Sequence, residues 1–194
     1  METIILASGS PRRQELLTKA KIPIRIIPPN VNENFSEGER AETIVSRLSR
    51  AKVDAIISVF KNESPRWVLG VDTLVELDGR VIGKPRSMEE AREIMELLSG
   101  KIHKVLSGVT LLKTKNDQPI TRISVTEVKF KEMTPDEISF YVNTGEWSGV
   151  AGGYRIQGAG SFFIEWIKGS YSNVMGLPLE TFYGILRESG YSFE

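Results

Sequence analysis

Apolar residues along the chain follow two periods. Compact runs at Ile4-Ile5-Leu6, Ile24-Arg25-Ile26-Ile27 and Trp67-Val68-Leu69-Gly70-Val71 have the length and apolar character of strands. Between them, apolar positions recur every three or four residues, as on one face of a helix. The first helix is predicted to start at Pro11 behind Ser10, a pair suited to the first helical and N-cap positions. The second is predicted over 41–59, where Ile44, Leu48, Ala51 and Ala55 form a stripe widened by Val45 and Ile56. Pro28-Pro29 stops the second strand, and the strand-helix-strand order predicts parallel pairing with the first.

The Trp67 run ends in Asp72, the pattern of a buried central strand with a carboxylate at its C-terminal end, where ligands gather in open α/β sheets. Leu74 to Leu77, Asp78-Gly79 and Arg80 to Gly83 then form a two-residue hairpin signal. A turn centred on Asp78-Gly79 sets Leu77 opposite Arg80, Val75 opposite Ile82 and Thr73 opposite Lys84, which returns Lys84 to the neighbourhood of Asp72. Capping boxes at Ser87 to Glu90 and Thr134 to Glu137 open helices closed by Gly100 and near Gly145. Strands are predicted at His103 to Leu112 and Ile120 to Phe130, joined by a polar loop around Asn116-Asp117. After a glycine-rich interval from Gly145 to Gly160, a strand is predicted at Phe162 to Ile167. A last helix then starts at Pro178, with Leu179, Phe182, Ile185 and Leu186 inward. The expectation is one α/β domain over residues 1–194, a mixed twisted sheet flanked by helices and split into two lobes by a cleft holding Asp72.

Composition narrows the chemistry. Lys plus Arg and Asp plus Glu balance at 25 each, so no overall field favours nucleic acid or an acidic membrane, and any anion site is local. The absence of cysteine excludes disulfides, thiol catalysis and thiolate metal sites. A single histidine, His103, rules out a multi-histidine zinc centre and leaves carboxylates, hence a hard cation. His103 sits in a strand pattern with no obvious partner and is assigned no catalytic role. No secretory start and no apolar run of about 20 residues is found, so a cytoplasmic location is expected.

The chemistry-bearing residues gather around Leu6-Ala7-Ser8-Gly9-Ser10-Pro11-Arg12-Arg13. A helix N-terminus presents free backbone N–H groups to anions, and two arginines one turn in suit phosphate oxygens. The alternative is an ordinary strand-to-helix loop with surface arginines. Lys52 lies on or beside the buried face of the second helix, either extended along the core edge or projecting its cation into a phosphate cleft. Lys84 and Asp72 are either cleft partners or a surface ion pair at the hairpin base. The glycine-rich interval carrying Tyr154 and Gln157 is either a binding loop that lets backbone approach a ligand or a flexible surface loop. No serine has a recognisable histidine base, so Ser8 and Ser10 suit phosphate hydrogen bonding and capping better than nucleophilic attack. No glycine-rich run ends in the Gly-Lys-Ser or Gly-Lys-Thr of a P-loop. With carboxylates at Glu33 and Asp72 and lysines at 52 and 84, the set suits metal-assisted hydrolysis of a phosphoanhydride.

Six segments together carry a likeness that spans the chain: Leu6 to Arg13, Val31-Asn32-Glu33, the helix with Leu48 and Ala51-Lys52, Val71-Asp72-Thr73, Gly83-Lys84-Pro85, and Tyr154-Arg155-Ile156-Gln157-Gly158 followed by Gly176-Leu177-Pro178-Leu179. In order and spacing they resemble the Maf family of nucleotide pyrophosphatases. The resemblance implies an inosine-triphosphatase-like (Maf/Ham1-like) architecture, often a homodimer. It also implies metal-dependent cleavage of nucleoside triphosphates between the α- and β-phosphates, with Mg²⁺ or Mn²⁺. By that likeness Asp72 is the general base, Glu33, Lys52 and Lys84 complete the metal and phosphate environment, and Glu33 and Asp72 hold the metal. Arg12, Thr73 and Gln157 match the branch acting on dTTP and UTP rather than on 7-methyl-GTP. A glutamine amide, donor and acceptor at once, matches the O4 and N3–H edge of uracil or thymine.

One departure stands out: Gly149-Val150-Ala151-Gly152 occupies the place where that branch usually reads Asp-Lys-Ala-Gly, and Arg155 is a candidate replacement cation. The expected substrate is a nucleoside triphosphate, dTTP or UTP, with no nucleic-acid polymer and no membrane as partner. Two other readings remain: a nucleotide-binding regulator of cell division without turnover, and a purine-directed or 7-methyl-GTP pyrophosphatase.

Overall fold

Seven strands pair into one mixed sheet in a computed structural model that describes residues 1–36, 38–60, 66–114 and 117–194. Strand β1 (Ile4–Ala7) leads through helix α1 (Pro11–Lys19) to β2 (Ile24–Ile26), and α2 (Ala41–Val59) precedes the long β3 (Val68–Leu77). Then follow β4 (Arg80–Ile82), α3 (Met88–Leu98), β5 (Ile102–Leu112), β6 (Ile120–Phe130), α4 (Pro135–Asn143), β7 (Ile164–Lys168), α5 (Tyr171–Met175) and α6 (Leu179–Glu188). The sheet order is β2-β1-β3-β5-β6-β7, with β4 on the free end of β3. β1 is parallel to both β2 and β3, as the strand-helix-strand order predicts, and the remaining pairs are antiparallel.

Helix α2 covers one face of the sheet at unusually close range. A Cβ on Gly70 would lie 2.2 Å from the carbonyl oxygen of Ser49, and one on Gly108 would lie 2.2 Å from that of Val45. These two glycines let the helix backbone approach β3 and β5, and they lower Lys52 toward the strand beneath it. On the opposite face two apolar clusters form. One gathers Leu17, Trp67 and Leu69 with Phe182 and Ile185 of α6; the other gathers Met95 and Leu98 of α3 with Phe130 and Tyr141. Residues of both clusters reach the cavity described below, Met175 from the first and Val75 and Tyr154 from the second.

Several boundaries differ from the sequence reading. The Trp67 run and the first hairpin arm are one strand, so Asp72 lies in the middle of β3 rather than at a strand end. The hairpin pairs Leu77 with Arg80 and Val75 with Ile82 as expected, but the ladder stops there. Thr73 and Lys84 do not pair, because the Gly83 carbonyl instead accepts the N–H of Gly152 at 3.0 Å. The last strand begins at Ile164, since Ala159–Phe163 forms a 3-10 turn. Pro178 is the N-cap of α6, and α5, capped by Ser170, has no apolar periodicity to announce it. Of the loop around Asn116-Asp117, Asn116 lies outside the described residues, while the Asp117 N–H closes a turn on the Thr114 carbonyl. No described helix is long and apolar enough to cross a membrane.

The close approach of α2 makes a direct prediction. Gly108→Ala should lower stability to urea unfolding by about 3 kcal/mol, the upper part of the range for overpacking. Gly184→Ala, on an exposed turn of α6 with open space around it, should be neutral or stabilising by about 0.5–1 kcal/mol. Equal effects of the two substitutions would contradict the packing argument.

Candidate active site

The cleft exists because two strands part company. β1 pairs with β3 only as far as Ala7 opposite Gly70, then turns into Ser8-Gly9-Ser10 and α1, while β3 runs on to Leu77. β4 joins the same edge only from Val75. Between these points the edge of β3 is bare, and a cavity of about 370 Å³ opens against it. Successive residues of a strand point to opposite faces, and at a bare edge both faces reach the same space. Asp72 and Thr73 therefore both line the cavity, each backed by a different layer of the fold.

Asp72 faces α2. Its Oδ1 accepts a hydrogen bond from Lys52 Nζ at 2.6 Å, and both side chains are only 7% exposed. The same ammonium lies 2.7 Å from Glu33 Oε1 and 3.4 Å from the Val71 carbonyl. The lysine is thus neither extended along the core edge nor free in the cleft, but buried as a bridge between two carboxylates. Lys84 approaches Glu33 from the solvent side at 3.6 Å. Burial pushes the Glu33 carboxyl up, but the hydrogen bond and charge of Lys52, with Lys84 and Arg13 further off, outweigh it and leave Glu33 below its ordinary value. The second oxygen of Asp72, Oδ2, is buried without a hydrogen-bond partner among the described residues.

Thr73 faces the other layer, where Arg13 dominates. The buried guanidinium donates from Nε to the Gly176 carbonyl at 2.8 Å, from Nη1 to Ser8 Oγ at 3.0 Å and from Nη2 to Thr73 Oγ1 at 3.1 Å. Gly176, at φ 111° after α5, takes a left-handed turn that presents its carbonyl to Arg13 and to the Thr73 hydroxyl. Ser107 on β5 meets Thr73 Oγ1 at 2.8 Å from behind. Burial pushes Arg13 down to about 10, against the attraction of Asp72, so it remains charged at neutral pH. Arg13 fastens three segments together and adds positive potential to the cavity floor.

Ser10 occupies the N-cap position of α1, but its hydroxyl makes no capping bond. Its own N–H is taken by Ser8 Oγ at 3.2 Å. The N–H groups of the first helical turn therefore have no intrahelical acceptor beside the cavity that Ser8, Ser10 and Arg12 line. The glycine-rich interval is ordered: Gly152 packs against Val75, and Gly149 to Ala151 line the cavity wall. Tyr154 lines it too, with its hydroxyl turned inward to His103 Nε2 at 2.8 Å. Burial pushes that imidazole down to about 4, so it is neutral near pH 7. Gln157 is exposed and lies outside the cavity lining.

The sequence reading thus located Ser8, Ser10, Arg12, Arg13, Glu33, Lys52, Asp72, Thr73 and Lys84 in one cavity, and placed Gln157 where the structure does not. It missed Ser107, the Gly176 carbonyl and the His103–Tyr154 pair, which depend on contacts distant in sequence. Among the described residues no cluster of three or more His, Asp or Glu side chains is arranged as a metal site. The available donors are Glu33 and the unpartnered Asp72 Oδ2, a set that fits a hard cation taking its remaining ligands from water and phosphate.

A family model described as Maf-like protein matches residues 3–189. The dTTP/UTP pyrophosphatase of Syntrophus aciditrophicus (strain SB) is 42% identical over 189 residues, covering 97% of this chain and 91% of that protein. The dTTP/UTP pyrophosphatase of Pyrococcus abyssi (strain GE5 / Orsay) is 40% identical over 184 residues, covering 95% of each. Among solved structures, a HAM1 protein from Coxiella burnetii aligns with a TM-score of 0.51 at 17% identity, covering 97% of this chain and 100% of that one. That likeness bears on the fold alone.

Removing the bridging cation should leave two facing carboxylates uncompensated. Lys52→Met is expected to destabilise the protein by about 3 kcal/mol at neutral pH. The penalty should shrink as the pH falls below about 4.5 and Glu33, which Lys52 holds below its ordinary value, takes up a proton, measured by urea unfolding across that range. A penalty that does not change with pH would contradict the bridge.

Proposed function

The chain belongs to the Maf family, and we propose that it hydrolyses dTTP and UTP between the α- and β-phosphates, releasing the nucleoside monophosphate and pyrophosphate. The observation that carries this reading is the meeting of a carboxylate, two lysines and a helix N-terminus in one cavity. The pyrimidine substrates rest on the relatives from Syntrophus and Pyrococcus named dTTP/UTP pyrophosphatase.

In this reading the triphosphate enters over the first turn of α1, whose free N–H groups donate to its oxygens. Arg13 and Lys84 lower the energy of the added negative charge, and Lys52 holds Asp72 in a fixed orientation through Oδ1. Asp72 Oδ2, free of a protein partner, accepts a proton from water as that water attacks the α-phosphorus. The bond from that phosphorus to the bridging oxygen breaks, and the oxygen leaves with the β-phosphate as pyrophosphate. A divalent cation such as Mg²⁺ or Mn²⁺, held by Glu33 beside Asp72, would supply charge neutralisation and polarise the phosphoryl oxygens. Glu33, kept ionised by the lysines beside it, is suited to that task.

Pyrophosphate release from dTTP, UTP, ITP and 7-methyl-GTP, with magnesium or manganese present, tests the proposal. The expected result is turnover of dTTP and UTP above the purine substrates, and a fall of about 100-fold or more in kcat for Asp72→Asn. Full activity in that variant would remove Asp72 as the base. Preference for ITP or 7-methyl-GTP would overturn the pyrimidine assignment, and nucleotide binding without turnover in either protein would favour a regulator.

A further inference from the structure

Two guanidinium groups rest on consecutive backbone carbonyls of the loop that brings Gly149 to the cavity wall. Arg12 lines the cavity, and Arg155 stands beside the lining residue Tyr154 without lining it itself. Arg12, from the first turn of α1, donates from Nη2 to the Gly149 carbonyl at 3.4 Å. Arg155 donates from Nη2 to the Ser148 carbonyl, also at 3.4 Å. Both bonds are long for N–H···O, so the loop supports these side chains without satisfying them. Neither forms an ion pair among the described residues. Arg155 Nε is buried with no acceptor among the described residues. Glu146, on the same loop, spends its Oε1 on the Ala159 N–H at 3.1 Å rather than on Arg155.

Burial and the positive charge of Arg155 both draw Arg12 below its ordinary value. Two like charges held together with a buried donor unpaired are unfavourable unless an anion completes the arrangement. A pair of planar, five-donor groups matches phosphate oxygens better than a single ammonium does. The place also matters: Asp72 and Glu33 occupy the α2 side of the cavity, whereas among the described residues no carboxylate lines the wall that carries Gly149. The most highly charged part of a triphosphate belongs against that wall.

We propose that Arg12 and Arg155 form a two-guanidinium clamp for the β- and γ-phosphates, the half of the substrate that leaves as pyrophosphate. The clamp deepens the triphosphate reading and rests on it for the identity of the ligand. Arg155 is well placed for substitution, because its backbone N–H is anchored independently by the buried Tyr141 hydroxyl at 3.1 Å.

Calorimetric titration of inorganic pyrophosphate and of dTMP into the wild-type protein, Arg155→Gln and Arg155→Lys, with magnesium present, tests the clamp without requiring turnover. Arg155→Gln should weaken pyrophosphate at least about 10-fold, as loss of a charge-assisted hydrogen bond implies, and leave dTMP within about twofold. Arg155→Lys, which keeps the charge and loses the fork, should fall between. Unchanged pyrophosphate affinity in Arg155→Gln, an equal loss for dTMP, or no pyrophosphate binding by the wild type would overturn the clamp. Arg155-dependent pyrophosphate binding in a wild-type protein that fails to cleave dTTP would overturn the proposed activity and leave the clamp standing.

Discussion

A buried lysine between two acids is the constraint around which the cavity is built. Moving an ammonium and a carboxylate out of water is unfavourable by several kcal/mol each, and only close pairing recovers it. Lys52 recovers it twice, from Asp72 at 2.6 Å and Glu33 at 2.7 Å. That arrangement requires α2 to lie almost on the strands, which Gly70 and Gly108 permit. It also draws the loop after β2 onto the middle of a helix and the middle of the strand beneath it. The ion bridge fixes where Asp72 Oδ1 points and leaves Oδ2 without a protein partner.

Sheet topology supplies the space that the bridge borders. Had β1 continued beside β3, backbone pairing would have filled the edge at Asp72 and Thr73. It stops at Ala7, and the chain turns instead into a helix whose first N–H groups stay unpaired. Arg13 then ties that helix to Thr73 and to Gly176, so the anion-binding end of α1 is held at a set distance from the carboxylates. Positive and negative groups face each other across the cavity, and a phosphate chain accompanied by a divalent cation is complementary to both.

Much of this was legible in the residues. Apolar periodicity gave α2 its full span, and the Asp78-Gly79 turn gave the hairpin register, because each signal is local. Ser8 to Arg13, Glu33, Lys52, Asp72 and Lys84 were recognisable as one group by their chemistry. What escaped were features set by long-range contacts. Asp72 sits mid-strand because β3 runs on past it along β5, and Thr73 misses Lys84 because Gly152 takes the Gly83 carbonyl. Tyr154 turns its hydroxyl to His103, a residue with no visible partner in sequence. Gln157 carries a suitable amide for a pyrimidine edge, yet the turn at 155–158 leaves it exposed outside the cavity; nothing in its local sequence signals that direction.

The most direct measurement of the central claim is a crystal structure of Asp72→Asn with dTTP and magnesium. The account predicts the triphosphate lying in the cavity at β3, with oxygens within hydrogen-bond reach of the first-turn N–H groups of α1 and of Lys84, and the α-phosphate beside residue 72. A triphosphate bound elsewhere on the protein, or one whose α-phosphate lies away from residue 72 and Lys52, would contradict it.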